Sequence, residues 1–152
     1  MSGLEGLAAC AGEWRGTSTL QYPMNSIADE SPSTATVTPV IGGRFVRVDY
    51  TWAYQGAPHE GSLLIGYEKK ADLATACWLD GFHNSDRVMV CTGGIAELGG
   101  VSVRGSYAAP PGPDWGWRID VVPDGDTLRI IHHNVWPEGK EELAVESVYT
   151  RA

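Results

Sequence analysis

The sequence predicts an all-β protein: about ten antiparallel strands in an up-and-down barrel, with a short N-terminal helix plugging one end. Three observations carry this expectation. Apolar and polar residues alternate with a period of two along most of the chain, as in strands with one buried face. Turn-forming residues recur roughly every ten positions, supplied by 19 glycines and 9 prolines in 152 residues. No helix-periodic segment separates one strand from the next, which excludes α/β architectures. A sandwich would satisfy the same pattern, but connections of hairpin length favour a meander, and closure removes its two exposed edges. One domain is expected, with residues 1–11 forming the helix and 12–152 the barrel.

The elements follow in order. Ser2-x-x-Glu5 has the form of a capping box, so a helix is expected to about Cys10, with Leu4, Leu7 and Ala8 on one side. In the first strand, from Gly12 to Pro23, Trp14, Gly16, Ser18, Leu20 and Tyr22 share a face opposite a wholly polar one. Residues 25–32 read as a loop, 34–41 as a second strand, and Gly42-Gly43 as a tight turn. Residues 44–54 form the most aromatic strand, with Val46, Val48, Tyr50, Trp52 and Tyr54 on one face. A turn at 55–58 leads to a strand over 61–67, and then 73–82 places Ala74, Ala76, Trp78, Asp80 and Phe82 together. Residues 87–92 and 101–107 are expected as a hairpin, with Gly93, Gly94, Gly99 and Gly100 in its connection. The proline-rich stretch 108–114 cannot enter a sheet interior and reads as an exposed loop. Trp115, Trp117, Ile119 and Val121 share the next strand face, Pro123-Asp124-Gly125-Asp126 turns the chain, and 127–136 and 141–151 complete the meander.

A net charge of -8 with no Lys/Arg cluster excludes nucleic acid and anionic membrane surfaces as partners. Cys10, Cys77 and Cys91 lack metal or redox spacing, and Cys77 and Cys91 are expected as buried thiols. Leu4-Glu5-Gly6-Leu7 interrupts any secretion signal, and no apolar run approaches the roughly 18 residues of a membrane span, so a cytoplasmic location is expected.

Six Trp and six Tyr against two Phe is an unusual supply of rings, each with an apolar body and one hydrogen-bonding tip. Tyr50, Trp52, Trp78, Tyr107, Trp117, His132 and Trp136 are the candidates to line a semi-polar pocket; the alternative is that they simply fill the barrel. His132 shares a face with Leu128, Ile130 and Trp136, as a core group or as the polar fixture of a cavity. The run from Asp80 to Asp86 could bring His83 against Asp80 or Asp86 as a base oriented by a carboxylate, or could only cap a turn. His59, beside Pro58, is expected in solvent, and His133 on the outer face. No His/Cys constellation has metal-ligand geometry, so no metal site is expected.

Gly12-x-Trp14 and Tyr149-x-Arg151 resemble the signature of calycins, the superfamily of lipocalins and fatty-acid-binding proteins. That resemblance implies the tryptophan packed under the late arginine, tying the two ends of the sheet. Over nearly the full length the chain resembles the bacterial domain-of-unknown-function 1579 family. The matching pieces are Gly12-Glu13-Trp14-x-Gly16, Gly43-x-Phe45-x-x-x-Asp49-Tyr50, Gly56-x-Pro58-x-Glu60-Gly61-x-x-x-x-Gly66-Tyr67, Trp78-x-Asp80, and Gly139-Lys140-Glu141 through Tyr149-Thr150-Arg151. This implies a calycin-like barrel without an established activity. Trp14, Gly16, Tyr22 and Pro23 also resemble the first strand of nitrobindin-type haem barrels; residues 141–151 hold no histidine in the place of that family's ligand, leaving His132 or His83.

Three functions are therefore weighed. The leading one is binding of a hydrophobic or aromatic small molecule inside the barrel, without a cofactor, by a monomer or homodimer. The second is an isomerase, cyclase or hydratase using His83 with Asp80 or Asp86, or His132 with a tyrosine. The third is a haem barrel handling nitric oxide or peroxide.

Overall fold

The meander closes. In the computed structural model, which describes residues 3–22 and 27–152, each strand pairs antiparallel with the next and the last returns to the first. The strands are β1 Gly12–Tyr22, β2 Ile27–Val40, β3 Phe45–Tyr54, β4 Ala57–Glu68 and β5 Leu73–Asp80. They continue as β6 Met89–Ile95, β7 Val101–Tyr107, β8 Trp115–Asp124, β9 Thr127–Val135 and β10 Glu141–Arg151. Parity puts Trp14, Ser18, Leu20, Val46, Val48, Tyr50, Trp52, Ala74, Ala76, Trp78, Ile119 and Val121 inside, all buried, as their alternation requires.

The helix is shorter than expected. α1 spans Glu5–Ala8 and begins after Leu4, which makes no side-chain cap; Ser2 lies outside the described residues. Glu5 is therefore in the first turn, where its charge meets the positive end of the helix. Leu4, Leu7 and Cys10 join the core cluster, so the helix does close one end. Gly6 lies so close to the Glu97–Gly99 turn that a Cβ would stand 2.6 Å from the Gly99 carbonyl oxygen.

Several boundaries differ from the sequence reading. Of the expected loop 25–32, Asn25 and Ser26 lie outside the described residues and the remainder is strand, paired with β1. Pro32 is tolerated there because the β2–β3 ladder runs only from Ala35 to Val40. Beyond it side chains bridge the gap: Ala53 N–H donates to Ser31 Oγ and Ser33 Oγ donates to the Thr51 carbonyl. The 55–58 turn shrinks to Gln55-Gly56, both at positive φ, which lets β4 start at Ala57. Gly93 and Gly94 lie within β6 rather than in its connection, and a Cβ on Gly93 would overlap the Ser102 carbonyl. β5 stops at Asp80 and β9 at Val135, leaving Phe82 and Trp136 outside the strands. Cys77 is only half-buried, because it occupies the outer parity of β5 with the exposed Leu79; Cys10 and Cys91 are buried.

At the seam, β1 and β10 pair from Trp14↔Arg151 to Leu20↔Val145. The Arg151 guanidinium lies over the Trp14 indole, 4.4 Å from the ring centroid. It also donates to the carbonyls of Ala11 and Ala9, at 2.6 and 3.0 Å. Gly16 sits against β10 so closely that a Cβ would overlap the Val148 carbonyl oxygen, which is backbone and cannot swing away. Gly16→Ala should therefore destabilise the fold by about 2–3 kcal/mol through strain at the seam. Gly94→Ala, whose Cβ meets open space, should change stability by less than about 1 kcal/mol. Urea unfolding midpoints of the two variants check the contrast.

Candidate binding site at the barrel mouth

The open end of the barrel, built by β5 to β8 and the loop after β5, carries a cleft of about 750 Å³. Its wall combines Trp78, Trp117, Tyr107 and Met89 with the loop residues His83, Asn84, Ser85, Asp86 and Arg87. Trp78 and Trp117 stack within 11° of parallel at a centroid separation of 5.3 Å. Beneath them lies a much smaller space. The space bounded by Ser18, Tyr50, Trp52, Asp80, His83, His132 and Ser147 is about 10 Å³, room for one water.

Asp80 organises this end. It ends β5 with its side chain turned inward and is 3% exposed. Its Oδ2 accepts from the Tyr50 hydroxyl at 2.7 Å, and its Oδ1 from the backbone N–H groups of Phe82 and His83, both at 3.0 Å. Tyr50 reaches it by crossing β4 over Gly61, where a Cβ would overlap the phenol hydroxyl. The same hydroxyl accepts from Trp78 Nε1 at 2.8 Å. Burial opposes ionisation of Asp80, but His83 beside it and these donors win, holding the carboxyl at a pKa of about 2. Burial and the neighbouring carboxylate push the Tyr50 phenol well up, so Tyr50 remains a donor.

His83 meets Asp80 rather than Asp86. Its Nδ1 is 3.2 Å from Asp80 Oδ1 but outside hydrogen-bond geometry. Trp52, Trp78, Phe82 and Trp117 stand around its ring at centroid distances of 5.0–5.7 Å. Asp86 lies on the cleft wall. His132 is buried, and its Nδ1 accepts from Trp117 Nε1 at 2.9 Å, which assigns its own proton to Nε2. Burial drives its pKa down to about 3, so it is neutral.

Of the other sequence candidates, Tyr107 lines the cleft and donates to Asn134 Oδ1 at 2.6 Å. Trp52 lies deeper, against His83, Phe82 and His59. Trp136 is not brought to this cluster: it packs on Trp115 at 4.7 Å with Lys140 over its ring. His59 belongs to β4, not to a turn, and rests on Trp52 at 4.9 Å. Sequence reasoning passed over Met89 and Asn84. Met89 could have been found from its parity with Cys91 in β6, and Asn84 from its place in the polar run after Asp80.

His132 has no room to ligate a haem: one ring nitrogen is engaged by Trp117 and the space against it is about 10 Å³. Among the described residues no group of three or more His, Cys, Asp or Glu is placed to hold a metal ion, and no helix is long and apolar enough to cross a membrane.

The two buried groups set an acid limb for stability. His132 takes up its proton near pH 6.5 when unfolded but only near 3 when folded. Stability should thus fall between those values by up to about 1.4 kcal/mol per pH unit. Asp80 adds a loss that begins below its ordinary 3.8 and continues toward 2, as its depressed carboxyl protonates. His132→Gln keeps an acceptor for Trp117 but has no proton to gain, so its stability curve should be flatter from pH 6.5 to 4. Urea unfolding at stepped pH measures the difference.

A comparison with curated proteins returns no match. Among solved structures, the crystal structure of Rv2717c from M. tuberculosis aligns with a TM-score of 0.68 at 15% identity. The alignment covers 98% of this chain and 96% of that one. At that identity the likeness shows the fold alone, a barrel consistent with the calycin-like expectation. A profile described as "Protein of unknown function (DUF1579)" matches residues 4–151. The chain belongs to the DUF1579 family.

Proposed function

We propose that the protein binds a flat, ring-containing small molecule in the cleft at the barrel mouth. The stacked indoles of Trp78 and Trp117 on the cleft wall carry this reading. Trp117 and Met89, each 7% exposed, give the cleft an apolar face together with Tyr107, Trp78 at 1% exposure backs Trp117, and Asn84, Ser85, Asp86 and Arg87 rim it with polar groups that can set orientation. Trp117 is held by its bond to His132 and Trp78 by its bond to Tyr50, so the aromatic wall stands ready without rearrangement. The expected pocket residues thus divide into a wall, Trp78, Tyr107 and Trp117, and a support, Tyr50, Trp52 and His132.

Anilinonaphthalene sulfonate, a planar aromatic probe, tests the reading. Saturable quenching of the indole emission and a one-to-one complex in native mass spectrometry are expected. Trp117→Ala should weaken the complex at least about tenfold, or roughly 1.4 kcal/mol, while Trp136→Ala, at a ring that packs on Trp115 and does not line the cleft, should leave it within about twofold. Equal loss in both variants, or no complex with the native protein, would overturn the assignment of the cleft.

A further inference from the structure

We propose that the cleft is also a site of proton transfer, with His83 as the base that shifts a proton between two atoms of a flat carbonyl or imine substrate. This rests on the cleft reading above and adds chemistry to it. Three observations converge on His83. Its Nδ1 faces the buried Asp80 carboxylate at 3.2 Å, which leaves Nε2 as the nitrogen available to a ligand in the cleft. That carboxylate is fixed by Tyr50 and two backbone donors, so it is already in place to stabilise the positive charge of a protonated ring. Next along the chain, Asn84 lines the same wall, and its side-chain nitrogen is buried with no hydrogen-bond partner among the described residues. An orphan donor beside an imidazole that faces a carboxylate is what a developing oxyanion requires.

In the step, the substrate C–H bond breaks and its proton passes to Nε2. The electron pair moves onto the substrate oxygen or nitrogen, where the Asn84 amide meets the charge. The proton then returns from Nε2 to a second substrate atom, so the product is an isomer and no co-reactant is consumed. The charged and titratable groups facing His83 are Asp80 from β5, Tyr50 from β3, His132 from β9 at 6.4 Å between ring centroids, and Asp86 and Arg87 from its own loop. His59 from β4 stands behind Phe82.

Nitrobenzisoxazole, a planar bicycle, reads out this chemistry. A base takes its one proton next to the ring nitrogen, the C–H pair forms a nitrile, the N–O bond breaks and a coloured phenolate is released. We expect the native protein to open it faster than free imidazole at equal concentration. His83→Gln should lower kcat at least about a hundredfold and Asn84→Ala about tenfold, both with KM within about threefold. Modification of the native protein with diethyl pyrocarbonate, mapped by mass spectrometry, measures the same residue without mutation: turnover should fall in step with modification of His83. Quenching by the probe without turnover, or turnover that survives loss or modification of His83, overturns the proton-transfer role alone. Absence of any probe binding overturns the cleft reading and this role with it.

Discussion

The barrel depends on the seam where its first and last strands meet. Trp14 and Arg151 are nearly the full chain apart in sequence, so their contact closes the longest loop in the molecule. A guanidinium over an indole contributes about 0.5–2 kcal/mol, but its larger effect is geometric. Arg151 also donates to the Ala9 and Ala11 carbonyls, backbone groups that the end of α1 leaves without helical partners. Trp14 Nε1 donates to the Cys10 carbonyl at 2.8 Å, so one stacked pair ties β1, β10 and the plug together. With the seam shut every strand pairs with a neighbour on each side over part of its length, and the interior is closed at one end by Leu4 and Leu7.

The faces of the strands were legible in the sequence because a period of two is hard to satisfy by accident over ten residues of mixed polarity. Val46 to Trp52 and Ala74 to Asp80 could be assigned inward without any tertiary knowledge. Boundaries were less legible, since they depend on what lies across the ladder. Pro32 reads as a breaker alone, yet β2 pairs on one side only at that point, and a missing N–H costs nothing there. Gly93 reads as a turn residue, yet it is in β6 because β7 approaches too closely for any side chain. Trp136 has inward parity on paper, but β9 ends at Val135, and its ring turns to Trp115 instead.

The balance of rings was informative in a different way from the one the composition suggested. Four of the phenols and indoles use their tips to close buried bonds: Trp78 to Tyr50, Tyr50 to Asp80, Trp117 to His132, and Tyr149 with Ser33 at 2.8 Å. A hollow barrel would leave such tips to water or ligand. Here they satisfy one another, and the four inward serines Ser18, Ser31, Ser33 and Ser147 do the same among themselves and the backbone. These inward polar groups are thus paired with one another, and Trp78, Trp117 and Met89 of the buried core also line the cleft.

Asp80 joins the fold to the cleft. A buried carboxylate without partners would shed its charge, whereas this one accepts three hydrogen bonds and faces an imidazole. Those donors come from two sources. Tyr50 belongs to the barrel wall, and Phe82 and His83 belong to the loop that walls the cleft. The charge therefore fastens the loop to the barrel, and Gly61 is the condition for it, because any larger residue would stand in the path of the Tyr50 hydroxyl. A loop hung on a buried ion keeps its shape without a ligand. The cleft wall is consequently a product of the same interactions that close the top of the core, which is why the residues best placed for chemistry are also among the most tightly held.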